Sequence, residues 1–356
     1  MRRPLESAGH MFWLLNQNRP VHFAVCAQVG GTTAIEDWRH ALDTMQQRHP
    51  NLFVKIALDD AANPYFHSVA SARIPLRIVA GSDLQWEPEI EWELATPFDS
   101  GRAPLVRAVL LHQAHRAVLI LVAHHSIADG RSLVFAIRDT LYALSGQSLG
   151  PPPAIASLDA WFAALPKGIG DDTSDQGSAL EATAKSFVFR EPDGSRPRVR
   201  RLTLTPDVTD ELRRRSRREQ TTIQCALVAA AAEAARQISS ALAGATIRIS
   251  SPIDFRNVIG AADEIAPLGA GVMIPMEPQT QAPFWDAARF AKRVVDPART
   301  PSALANMIGQ LGPVISSRPG VADVAAFWAQ RLGYDLNVSN LGEAPIENCI
   351  GDLRLE

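Results

Sequence analysis

Lysine is almost missing from this 356-residue chain: Lys55, Lys167, Lys185 and Lys292 are all it has, and the rest of its basic charge is arginine. Together with the alanine-rich helical stretches this reads as a coding bias, so a cluster of arginines carries less weight here as a binding signal. Cysteine is equally sparse. Cys26, Cys225 and Cys349 are odd in number and far apart, which argues against a disulfide framework and against a zinc site. No apolar run approaches the ~20 residues of a membrane-spanning helix. The basic start Met1-Arg-Arg3 leads into an apolar piece too short for a secretory signal. A net charge of −3 gives no electrostatic reason to expect nucleic acid or an anionic membrane as partner. Histidine is absent after position 125. The expectation is therefore a soluble, cytoplasmic chain. With 46% hydrophobic and 21% charged residues, its length fits one large or two mid-sized domains.

What is present alternates strands and helices. Val21–Val29 reads as a strand, followed by Gly30-Gly31 and a helix over Ile35–His49 that places Trp38, Ala41, Leu42 and Met45 on one face and stops at Pro50. Leu52–Leu58 is a second strand. Leu105–His112 and Arg116–Ala123 form a hairpin, and the continuous apolar run of its second arm predicts a central strand buried on both faces. A helix follows from about Arg131 to Leu144. Pro151–Pro153 and the polar stretch Lys167–Ser178 mark a linker. Beyond it, strands are expected at Arg198–Leu204, Ala245–Pro252 and Leu336–Asn340, with helices at Thr209–Arg218, Ile223–Ile238 and Phe284–Val295. This divides the chain into 1–165, a crossover at 166–195, and 196–356.

Chemistry concentrates where the buried strand ends: His124-His125-Ser-Ile-Ala-Asp129-Gly130. His, His, Asp and Gly fixed within seven positions should arise by chance in a chain this long on the order of once in a thousand. Adjacent strand residues face opposite ways, so one histidine should face a cavity and the other the fold. A neutral imidazole is the natural general base near neutral pH. The bland alternative is a hydrogen-bonded pair of structural histidines.

This HHxxxDG pattern resembles the signature of thioester-dependent acyltransferases of the chloramphenicol acetyltransferase type, which include nonribosomal-peptide condensation domains and polyketide-associated acyltransferases. Further segments are similar to that family in its order: Arg3-Pro-Leu5 with Phe12–Leu15, Ala95–Asp99 with Pro104–Arg107, Ser251–Arg256, and Val338-Ser-Asn-Leu-Gly342. The resemblance implies a mixed α/β fold of two lobes in a V with an acyl-transfer site between them. His125 would deprotonate a hydroxyl or amine acceptor that attacks an acyl thioester, and His124 would support the loop. Asp129 would pair with Arg256 rather than do chemistry. Gly130 would leave room for the thioester, and Ser339 and Asn340 would approach from the second lobe to donate to the oxyanion. The donor would be acyl-CoA or a phosphopantetheinyl carrier, the partners a small-molecule acceptor and an acyl-carrier protein. No metal or bound cofactor is implied, and the chain is expected to act as a monomer.

Gly146-Gln-Ser148-Leu-Gly150 matches a serine-hydrolase pattern, but it follows a helix instead of a strand, and no downstream histidine exists to complete a triad. Arg213–Arg218 reads as a solvated helix face, with carrier or coenzyme A phosphate binding as the alternative. The rival to catalysis is a noncatalytic carrier-binding or scaffold protein. It is motivated by the fourteen residues that follow Gly342, from which an incomplete second lobe is expected.

Overall fold

A computed structural model describes residues 2–79, 84–155, 157–165, 195–278 and 283–356. The strands in chain order are β1 (Arg2–Pro4), β2 (Phe23–Gly30), β3 (Val54–Leu58), β4 (Pro64–Ser68), β5 (Leu76–Val79), β6 (Val106–Gln113) and β7 (Arg116–Ala123). They continue with β8 (Ile247–Asp254), β9 (Gly269–Met276), β10 (Leu336–Asn337), β11 (Cys349–Ile350) and β12 (Leu353–Leu355). The helices are α1 (Ser7–Asn18), α2 (Ile35–Arg48), α3 (Glu87–Ala95), α4 (Gly130–Leu144), α5 (Leu158–Ala163) and α6 (Pro206–Arg218). After these come α7 (Ile223–Ile238), α8 (Ser240–Ala243), α9 (Arg256–Ile259), α10 (Phe284–Ala298), α11 (Pro301–Ser316) and α12 (Val321–Phe327). The fold is mixed α/β, as the sequence implies. Among the described residues no helix is long and apolar enough to cross a membrane.

The largest sheet has the order β11-β12-β2-β7-β6-β5. Its centre is β7, whose residues from Ala117 to Ala123 are all buried, in keeping with their unbroken apolar run. One face carries α2 and α4 over a core that includes Trp38, Leu42, Met45, Leu119, Leu121 and Leu133. The other face packs Val118, Ile120 and Val122 against Ile90 of α3. A second sheet, β10-β8-β9, has its own core with Val228 of α7, Ala291 of α10 and Leu304 of α11. A third, small sheet is β1-β4-β3. Helix α1 buries Met11, Leu14 and Leu15 against Val324 of α12, so the start of the chain leans on elements three hundred residues away.

Two features differ from expectation. Arg198–Leu204 is not a strand: the amide of Val199 donates to the Glu91 carboxylate instead of a neighbouring strand, and Arg201 lies over the Trp86 ring. Its arginines seek side-chain partners on α3, and Leu202 and Leu204 are left exposed. Residues past Gly342 turn back to the first sheet, where β12 runs antiparallel to β2 with Leu355 opposite Val29. The expected crossover at 166–195 lies outside the described residues except for Ser195.

Candidate active site

β7 delivers the motif. The amide of His124 still donates to Leu105 O, and a turn from His124 O to the Ile127 amide then ends the strand. The neighbouring strand β2 begins at Phe23, directly opposite Ala123. Gly9 of α1 fixes the third wall: Ser126 Oγ donates to Gly9 O at 2.8 Å, and a Cβ at residue 9 would stand 3.1 Å from Ser126 O. The absent side chain lets α1 lie close on the loop.

The two histidines part company. His124 is fully buried. Its Nδ1 accepts from the Ser126 amide at 3.1 Å, which leaves the proton on Nε2, and Phe98 meets its ring edge-on. Burial pushes its pKa down to about 3. Phe98 also meets buried His22 edge-on and lies under the Arg107 guanidinium, so the Phe98 and Arg107 segments pack behind the motif.

His125 is partly exposed. Its Nδ1 lies 3.2 Å from Ala128 O. A carbonyl oxygen only accepts, so Nδ1 carries the proton and the lone pair is on Nε2. No protein group among the described residues takes that nitrogen. The ring stacks on Phe12 at a centroid distance of 4.7 Å and meets Phe23, tilted against it, at 4.2 Å. Burial holds its pKa down, to about 4, against the upward pull of the Asp129 charge and the Ala128 carbonyl.

Asp129 turns away from both histidines. It caps α4 by accepting from the Ser132 amide at 2.9 Å, and its Oδ2 accepts from the Leu268 amide at 2.9 Å. Arg256, only 3% exposed, grips it with both guanidinium nitrogens and also donates to Asp254, Ser132 Oγ, Glu264 O and Ala266 O. Gly130 opens α4, and the space beside it is taken: Leu341 Cδ2 lies 2.6 Å from where a Cβ would be. Arg131 Nη1 holds Leu341 O at 2.9 Å. Ser339 and Asn340 are exposed, and Asn340 Oδ1 accepts from its own loop at the Gly342 amide. The structure thus brings His124, His125, Asp129, Gly130 and Arg256 together, and leaves Ser339 and Asn340 on the surface of a loop docked at α4.

Nothing in the sequence marks Phe12 or Phe23 as a site residue. A phenylalanine carries no chemical signal of its own, and the resemblance of Phe12–Leu15 to the family's opening assigned Phe12 no role. Arg213–Arg218 is mostly exposed and pairs with Asp210, Glu211 and Glu219, the solvated face expected of it.

No family model matches the chain. It is similar to a linear gramicidin synthase from Brevibacillus parabrevis, 29% identical over 172 residues. It is also similar to phosphinothricin tripeptide synthetase PhsC from Streptomyces viridochromogenes, 30% identical over 175 residues. Each match takes in 45% of this chain, but only 2% and 16% of those much longer proteins. The first condensation domain of the calcium-dependent antibiotic synthetase, solved with a substrate analogue, superposes with a TM-score of 0.73 at 16% identity, covering 100% of this chain and 84% of that one. Polyketide synthase associated protein 5 from Mycobacterium tuberculosis gives 0.62 at 16% identity over 99% of this chain and 85% of that one. The X-domain from teicoplanin biosynthesis gives 0.60 at 17% identity, over 99% and 81%, and has also been solved in complex with OxyB. The chain resembles the condensation-domain-like acyltransferases and has their fold.

Proposed function

We propose that this chain is an acyltransferase that moves an acyl group from a thioester to a hydroxyl or amine, with His125 as general base, in the biosynthesis of a secondary metabolite. The observation that carries the reading is the contact of His125 Nδ1 with Ala128 O, from which its tautomer follows. Its Nδ1–H is bound to Ala128 O, and its Nε2 lone pair has no protein partner among the described residues. A base needs that lone pair within reach of the acceptor proton. The acceptor oxygen or nitrogen attacks the thioester carbonyl as its proton passes to Nε2. Collapse of the tetrahedral intermediate breaks the C–S bond, and the proton passes from His125 to the departing thiolate. His124 acts as loop support, and Asp129 with Arg256 keeps α4 in place. The donor is a phosphopantetheinyl carrier or acyl-CoA, met by two lobes, one built on residues 1–165 with β11 and β12 added to its sheet, the other on the remainder of 196–356.

The test incubates the purified chain with a panel of acyl-CoA and acyl-carrier donors and with alcohol and amine acceptors, wild type beside His125→Ala. Loss of about a thousandfold in the variant supports the base. Equal product from both removes His125 from the chemistry.

A second reading is favoured by one observation: Leu341 fills the space beside Gly130 that a thioester would need. In that reading the chain keeps the fold without turnover and binds another protein, as the teicoplanin X-domain does OxyB. Failure of the wild type with every donor, together with saturable binding of a carrier protein, would favour it.

A further inference from the structure

The two rings packed against His125 lie outside its motif, one on α1 and one at the first residue of β2. Phe12 lies 18° from parallel to the imidazole and Phe23 lies 32° from parallel. Two rings sharing one face at these distances would themselves lie within ~6 Å of each other, a normal aromatic contact. Phe12 and Phe23 make no such contact among the described residues, so they cover opposite faces. With Nδ1 tied to Ala128 O, both faces of the imidazole and one of its two nitrogens are engaged. Among the described residues Nε2 is the ring nitrogen left without a protein partner.

We infer that Phe12 and Phe23 are positioning residues: they clamp the plane of His125 and present Nε2 alone to the reacting groups. This rests on the reading of His125 as the base. Rotation about the Cβ–Cγ bond would drive the imidazole edge into one ring or the other and would give up the Ala128 hydrogen bond. Orientation of a catalytic group is otherwise lost as entropy at each turnover. The clamp also sets the charge state. Phenyl faces attract a cation weakly, whereas the water they displace would solvate an imidazolium strongly, so neutral His125 is favoured. Its pKa near 4 agrees with that balance.

The charged and titratable groups on the surrounding elements offset it only in part. α1 brings His10, whose own pKa is lowered by burial, and β2 is preceded by His22, likewise lowered. His124 is neutral beside it, pulled lower still by burial. Asp129 is the anion that raises it, and Arg256 holds that carboxylate; Arg131 adds positive charge at the start of α4.

Phe12→Leu and Phe23→Leu keep an apolar side chain and remove the flat ring. Each is expected to lower kcat about tenfold while the donor KM stays within twofold, and Phe23→Tyr should restore most of the rate. The imidazole C2–H resonance of His125, identified by its loss in His125→Ala, gives a readout independent of turnover. It should titrate well below 6.5 in wild type, and at least one unit higher in each leucine variant. A wild-type value at 6.5, or folded leucine variants with unchanged kcat and titration, would overturn the clamp. If His125→Ala keeps full activity while the titration behaves as expected, the base reading fails and the clamp stands as a property of the ring.

Discussion

Both carboxylate oxygens of Asp129 are held by Arg256, 127 positions further along the chain, at 2.9 Å and 3.1 Å. The pair joins the start of α4 to the start of α9, two residues past β8, and so one sheet to the other. Asp129→Ala would leave a buried guanidinium with Asp254 as its remaining carboxylate. Removing one partner of a buried pair costs about 3–5 kcal/mol. The expected loss, read from urea unfolding, is at the lower end of that range because of Asp254. Asp129→Ala combined with Arg256→Met should recover part of it. A variant of unchanged stability and no activity would give Asp129 a chemical role instead.

A second cluster ties α2 and α4 to the segment before β9. Asp139, 2% exposed, accepts from His49 Nε2 at 2.7 Å and pairs with Arg48 and Arg138, which both reach Asp263. Asp139→Ala should cost about 3–5 kcal/mol, because two arginines and a histidine lose a buried anion. Asp263→Ala, on the wetter side of the cluster, should cost about 1 kcal/mol. Equal effects in thermal melts would mean that the two carboxylates share the load.

Acid should loosen the fold before it protonates the site. His22, His124 and His125 are all lowered by burial, the latter two to about 3 and 4. Below 6.5 the unfolded chain takes up these protons while the folded chain does not. Stability is therefore complete above pH 6.5 and falls as pH drops toward 4, by up to about 1.4 kcal/mol per pH unit for each histidine. Melting temperature between pH 8 and 4.5 should show the decline, and His124→Asn should flatten it. A level profile over that range would contradict the neutral, buried histidines.

Arg131 pins the loop that carries Ser339 and Asn340, through Leu341 O and an ion pair with Asp254 at 3.7 Å. Arg131→Ala should cost only about 1 kcal/mol globally. It should, however, raise the rate at which a broad-specificity protease cuts between residues 338 and 347 several-fold. Unchanged cleavage would mean that Leu341 against Gly130 suffices to hold the loop.

Elements whose signal is local were legible in the sequence. β7 announces itself by seven consecutive apolar residues, α2 by its apolar face and the proline after it, and α7 by the Thr222 cap. The partnership of Asp129 and Arg256 was legible too, through a resemblance spread over both halves. β9 was not: GAGVMIPM holds two glycines and a proline, residues a strand tolerates best at a sheet edge, where β9 lies. Neither was α1, whose apolar residues answer to α11 and α12. The false strand at Arg198–Leu204 had Val199, Leu202 and Leu204 set among polar residues, but its backbone found Glu91 first. Phe12 and Phe23 meet His125 only through folding, so no spacing in the chain could reveal them.

The pairing of β12 with β2 has a cost in time. Until residue 353 has been synthesised, β2 is the outer strand of its sheet, with its backbone groups on that side open from Gln28 to Gly30. A ribosome adding about 5–20 residues per second takes on the order of tens of seconds to pass from there to the closing strand. Once β7 has paired with β2, and until β12 arrives, the nascent sheet offers that edge to any passing strand. Slower translation at low temperature would prolong it, and a chaperone that covers that edge should raise the soluble yield more than one that acts after release.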